Sequence, residues 1–162
     1  MQLLAPTVLT DAHILSDFDS GVASLDDWLR RRAAANQVSG ASRTYVVADE
    51  DGRVLGYYAL ASGVLAAAEA PGRVKRNMPD PIRIAILGRL AIDRSMQGRG
   101  LGVALLQDAA IRVRQAASIM GIRGLLVHAI SQEAQTFYEH HGFVGAPRNP
   151  RTLILSLFQS TP

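Results

Sequence analysis

Apolar residues repeat along this chain with changing period. Leu25, Trp28 and Leu29 share one helical face. Ser24 stands where an N-cap belongs, Asp26 and Asp27 occupy the first turn, and Gly40 follows as a stop signal. Together they predict a helix over residues 25–37. Residues 44–48 and 54–60 are β-branched and aromatic runs separated by the turn Asp49-Glu50-Asp51-Gly52, which reads as a hairpin. From residue 66 to 83 the pattern breaks: Pro71, Gly72, Pro79 and Pro81 prevent a continuous helix or central strand, so a long connection is expected. Residues 84–93 read as a buried strand. Residues 100–120 follow as an amphipathic helix, with Leu101, Leu105, Ala109, Val113, Ala117 and Met120 on one face and Gly121 as its stop. A buried strand over 124–130, a helix over 132–140 and a last strand over 152–157 complete the series. Helix, hairpin, strand, helix, strand, helix, strand is the order of a mixed α/β fold, with residues 1–162 forming a single domain.

Composition narrows the chemistry. Apolar residues make up 48% and charged residues 19% of the chain, the balance of an ordinary globular protein. With no cysteine, disulfides, thiolate catalysis and Cys-ligated zinc are excluded. The start Met1-Gln2-Leu3-Leu4-Ala5-Pro6 lacks the pattern of a signal peptide, and no run approaches the roughly 18 apolar residues of a membrane span, so a cytoplasmic protein without membrane partners is expected. Net charge is only +3, but every base except Lys75 is arginine, so local clusters matter more than the sum.

The densest chemical signal is Gln97-Gly98-Arg99-Gly100-Leu101-Gly102, at the change from strand to helix. Alternating glycines let a backbone approach a ligand closely, and a helix start offers unpaired N–H groups with partial positive charge. Such a segment suits a phosphate. It is not a P-loop, which needs Gly-Lys-Ser/Thr, nor a dinucleotide fingerprint, since Leu105 stands where the third glycine would fall.

Gln97-x-x-Gly100-x-Gly102 resembles the acetyl-CoA signature of the GNAT acetyltransferases, and the later Phe137-Tyr138 with Gly142-Phe143 resembles that family's last helix and its stop. The resemblance implies a central twisted mixed β-sheet flanked by helices and acetyl-CoA as acetyl donor. It also implies that backbone groups of Leu90, Ala91 and Ile92 line pantetheine, that the segment Gln97, Gly98, Arg99, Gly100, Leu101 and Gly102 holds pyrophosphate, and that Tyr138 faces the thioester sulfur, with Phe137 and Ser131 nearby. Ser131 stands where many members carry an asparagine. A narrower resemblance spans residues 18–157: Leu25-Asp26-x-Trp28-Leu29, Ala35-Asn36-Gln37, Gly40-x-Ser42-Arg43-Thr44-Tyr45-Val46, Gly56-Tyr57-Tyr58, Met78-Pro79-Asp80-Pro81-Ile82, Leu87-Gly88-Arg89-Leu90-Ala91 and Val127-His128-Ala129 are similar to bacterial GNAT toxins. That implies acetylation of the amino group of aminoacyl-tRNA, a ribbon-helix-helix antitoxin as partner, and a homodimer.

Acetyl transfer to an amine needs a neutral nucleophile and an acid for the departing thiolate. A tyrosine hydroxyl, with pKa about 10, supplies the acid, so Tyr138 is the candidate; the alternative is a ring that only packs. No carboxylate precedes Asp93 on its strand to act as base. That favours an α-amino group, with pKa about 8, over a lysine at about 10.4, unless water or His128 serves. His128 on a buried strand reads first as a satisfied interior histidine, and His140 with His141 point apart, so no metal site is expected. Arg89 on a central strand either reaches a cleft or pairs with an acid. For RNA phosphates the candidates are Arg30, Arg43, Arg73, Lys75, Arg76, Arg83 and Arg89; the run Arg30-Arg31-Arg32 also fits a solvated helix end. Two other functions stay open: a transferase for a small amine or a protein N-terminus, and a non-catalytic CoA-binding module.

Overall fold

The computed structural model describes residues 2–76 and 78–157, apart from the side chain of Arg73. Its strands are β1 (Thr7–Val8), β2 (Arg43–Ala48), β3 (Val54–Leu65), β4 (Ile82–Ile92), β5 (Gly124–His128), β6 (Val144–Ala146) and β7 (Asn149–Ser156). The helices are α1 (Ala23–Arg31), α2 (Ala33–Ser39), α3 (Gly72–Lys75), α4 (Leu101–Ala117) and α5 (Gln132–His140). The strands form a seven-stranded mixed sheet in the order β1-β2-β3-β4-β5-β7-β6, the mixed α/β class expected. β4 and β5 run parallel, whereas β5 and β7 are antiparallel. The chain divides into two compact units, residues 1–61 with 88–109, and residues 62–87 with 110–162.

In the first unit, β2 and β3 pair antiparallel across the expected turn, where the Asp49 side chain accepts hydrogen bonds from the amides of Asp51 and Arg53. Leu9, Phe18, Leu29, Ala33, Val46, Val54, Tyr57 and Ala91 form its core. Gly56 is required by close approach, since a Cβ there would stand 3.0 Å from Leu105 and 3.2 Å from Ile92. The predicted helix over 25–37 is two helices that meet at Arg32. The first begins two residues early with Val22 at its N-cap, because Asp26 reaches back to the amide and hydroxyl of Ser20 and fixes the entry of the chain. Ser24 is therefore exposed in the first turn instead of capping it. Gly40 closes α2 in the left-handed conformation, as its position implied.

In the second unit, Leu65, Ala70, Val74, Ile82, Ile84, Leu126 and Ile154 are packed together. The segment expected to be a bare connection contains a 3-10 turn at Ala67–Glu69 and the short α3, and the Asp80 carboxylate accepts the Ala67 amide at 3.0 Å. α4 ends at Ala117, so Met120 lies beyond it and is 60% exposed, not on its buried face. Among the described residues no helix is long and apolar enough to cross a membrane.

Candidate functional site

In the first unit the backbone leaves β4 through Asp93, whose carboxylate accepts the amide and hydroxyl of Ser95 and the amide of Asp19. Burial pushes this carboxyl up, but the Ser95 hydroxyl, those two amides and the charge of Arg53 outweigh it and hold the group below its ordinary range. The chain then turns at Gly98 (φ 76°) and Gly100 (φ 84°), both in the left-handed region, and enters α4 at Leu101. A Cβ built at either glycine meets nothing within 4 Å, so the loop faces open space there. The Ala104 amide finds the Gly100 carbonyl at 3.1 Å; the amides of Leu101, Gly102 and Val103 precede it in the first turn, where a helix offers no acceptors. An open-faced, glycine-lined loop running into a helix start has the donors and the room that a pyrophosphate needs.

Gln97, expected at the cofactor, has backbone partners for its side chain. Its side-chain amide donates to the carbonyls of Ser20 (2.8 Å) and Ile92 (2.9 Å), so it braces the loop against the end of β4. Among the described residues Arg89 pairs with no acid, and its guanidinium lies 4.5 Å from the centroid of the Trp28 ring. Trp28 in turn stacks on Tyr57, and Phe18 meets Tyr57 edge-on. Burial, offset in part by Arg89 and reinforced by Asp26, pushes the Tyr57 hydroxyl well above the usual tyrosine range, and it donates to the Leu25 carbonyl at 2.6 Å. Arg30 is engaged with the Phe18 carbonyl and with Asp27, while Arg43 and Arg99 are exposed. Leu90 and Ile92 are half-buried and Ala91 is buried in the core.

In the second unit, Tyr138 is on α5, its ring 8% exposed between Phe137 (5.3 Å) and Phe143 (5.4 Å). Burial pushes its hydroxyl up to about 12, so it stays protonated throughout the neutral range and is available as an acid. Among the described residues no hydrogen bond to this hydroxyl is found. Ser131, expected beside a cofactor, is the N-cap of α5: its hydroxyl accepts the Ala134 amide at 3.1 Å. Lys75, Arg76 and Arg83 are exposed; the side chain of Arg73 lies outside the described part of the chain.

The same unit holds a cavity of about 480 Å³ that sequence reasoning missed. Ile84, Ile86 and Leu126 give it apolar walls, and Glu69, His128 and Arg148 bring polar groups. His128 is not interior but exposed at the end of β5, its Nδ1 3.0 Å from the Thr152 hydroxyl. The strand stops at His128, short of the expected residue 130, so Val127 is buried and His128 stands at the rim. No local signal marks this end, because Ala129 and Ile130 continue the apolar run. His140 and His141 meet ring edge to face, and no metal-binding cluster occurs among the described residues.

Comparison with known proteins agrees with this anatomy. Residues 41–145 match the acetyltransferase (GNAT) domain family. A "tRNA-acetylating toxin" of Mycobacterium tuberculosis (strain ATCC 25618 / H37Rv) is 54% identical over 151 residues, 93% of this chain and 90% of that protein. Among solved structures, AtaT complexed with acetyl-methionyl-tRNAfMet superimposes with a TM-score of 0.88 at 32% identity, covering 96% of this chain and 95% of the other. AtaTR bound with AcCoA gives 0.83 at 33% identity, covering 96% and 94%. The glycine loop at the end of β4, the tyrosine on α5, the sheet order and a family match over most of the length converge: this chain belongs to the GNAT acetyltransferase family.

Proposed function

We propose that this chain transfers acetyl from acetyl-CoA to the α-amino group of aminoacyl-tRNA and thereby blocks translation. The observation that carries the reading is the 54% identity, across 93% of the chain, with a protein named for acetylating tRNA. The open loop at Gly98 and Gly100 supports it by its fit to a pyrophosphate. The amides from Gly98 to Gly102 are the groups that would hold that pyrophosphate. Backbone groups of Leu90, Ala91 and Ile92 would accompany pantetheine, with Phe137 beside Tyr138. Acetyl-CoA, when bound, supplies the acetyl group as a thioester.

Tyr138 donates the proton that the departing sulfur needs; its raised pKa keeps that proton in place at neutral pH. Lys75, Arg76 and Arg83, with Arg43, are the exposed bases offered to tRNA phosphates, where arginine's fork suits bidentate contacts. Arg30 and Arg89 already have partners within the protein and contribute less. The reading includes residues 1–162 acting as one domain, a cytoplasmic homodimer, and a ribbon-helix-helix antitoxin as partner; a solved structure of the similar AtaT toxin bound to the C-terminus of the antitoxin AtaR supports an antitoxin of some kind.

The test is to incubate charged tRNAs with the protein and acetyl-CoA, strip the amino acids, and identify them by mass spectrometry. Acetylated amino acid is expected from at least one tRNA. Untouched tRNAs, alongside efficient acetylation of a small amine or a peptide N-terminus, would leave a GNAT of another substrate class.

A further inference from the structure

An amine that is protonated at neutral pH cannot attack a thioester until that proton is taken. β4 offers nothing for the task, its sequence from Ile82 to Ile92 being IRIAILGRLAI without a carboxylate. The cavity of the second unit does. His128 lines it with Nδ1 held at 3.0 Å by Thr152, which is 7% exposed, so the ring is anchored from behind by a buried hydroxyl. Among the described residues Nε2 has no partner. A ring fixed through one nitrogen and open at the other is the arrangement in which imidazole exchanges protons with a ligand.

We propose that the acceptor's amine is received in this cavity and that Nε2 of His128 is its general base. The assignment rests on the acetyl-transfer reading above but not on the acceptor being tRNA. The volume of about 480 Å³ falls within the range of small-molecule sites. Ile84, Ile86 and Leu126 form a wall for the apolar body that carries the amine. The charged groups that share the cavity are Glu69, which complements the arriving ammonium, and Arg148, a donor for the carbonyl next to it.

One ammonium proton passes to Nε2 and on to solvent. The freed nitrogen pair forms the C–N bond as the acyl C–S bond breaks. The second proton leaves nitrogen at that point and balances the one that sulfur takes from Tyr138, so an ammonium and a thioester give an amide, a thiol and one released proton.

The experiment compares the full-length wild type with His128→Gln, His128→Ala and Glu69→Gln on whichever amine the wild type acetylates, with melting curves to verify folding. His128→Gln should lose about 10²-fold in kcat/KM at neutral pH. The deficit should shrink as pH rises and the amine becomes neutral by itself. Added imidazole should restore His128→Ala, and acetyl-CoA affinity by calorimetry should be unchanged in both His128 variants. Wild-type rates in His128→Gln, a deficit that neither pH nor imidazole alters, or a base-like loss in Glu69→Gln instead would each overturn the assignment. A wild type that acetylates no amine would end the transferase reading itself, a different result from an active wild type with an unaffected His128 variant.

Discussion

Replacing Gly100 by alanine separates two roles of the glycine loop. At φ 84° a side chain is strained by about 1–2 kcal/mol, and since a Cβ there meets nothing within 4 Å, no clash adds to this. In a chain of 162 residues, 1 kcal/mol moves the melting temperature by about 2–4 °C, so a fall of about 2–8 °C is expected. The new methyl projects into the space offered to pyrophosphate. A hydrogen bond to a charged group contributes about 1.5–3 kcal/mol; displacing two of them removes at least about 3 kcal/mol. At 1.4 kcal/mol per tenfold, acetyl-CoA affinity should fall by about 10²-fold or more, as read by calorimetry on the folded variant. Gly40 is the matched control: it closes α2 at φ 82° with equally open surroundings, so its alanine variant should melt lower by a similar amount and bind acetyl-CoA normally. If both variants melt alike and both bind like the wild type, the glycines serve the turn alone and the loop is no cofactor site.

Tyr138→Phe should keep acetyl-CoA affinity but lose about 10²–10⁴-fold in rate, measured by thiol release. Because burial raises this hydroxyl to about 12, its ionisation should produce no fall in wild-type rate between neutrality and about pH 10, so an alkaline limb in that window that vanishes in the phenylalanine variant would contradict its assigned state. Ser131→Ala should destabilise the fold by about 1 kcal/mol through the lost α5 cap, with acetyl-CoA affinity intact; reduced affinity at unchanged stability would return the hydroxyl to the cofactor. Lys75→Glu with Arg76→Glu should weaken charged-tRNA binding and flatten its salt dependence by about one unit of slope for each phosphate no longer neutralised, read by filter binding, while acetyl-CoA affinity persists.

The parts of the fold legible in the sequence are those where one local rule decides. Residues 132–140 read as a short helix followed by Gly142, and the observed bounds coincide with the reading. β1 and β6 were illegible: two residues, and three with a glycine in the middle, carry no periodicity, and their pairing is set by β2 and β7. The early start of the first helix comes from a side-chain event that no periodicity records, the grip of Asp26 on Ser20 six residues before it. At the site, the glycine loop and Tyr138 were visible as motifs. The uses of Gln97 and Ser131 were not, because an amide or hydroxyl looks the same in sequence whether it meets a ligand or a backbone partner. Arg89 was posed as a choice between cleft and acid, and its aromatic neighbour could not be read there because Trp28 stands 61 positions earlier.

That ring has a practical use. Trp28 is the chain's single tryptophan, so all indole emission reports from one place, under a guanidinium and over a tyrosine. A cation against the indole face perturbs its excited state, and a phosphate that drew Arg89 away would change the spectrum without any label. The protein thus carries a built-in optical gauge of whether this arginine leaves its aromatic seat when RNA arrives.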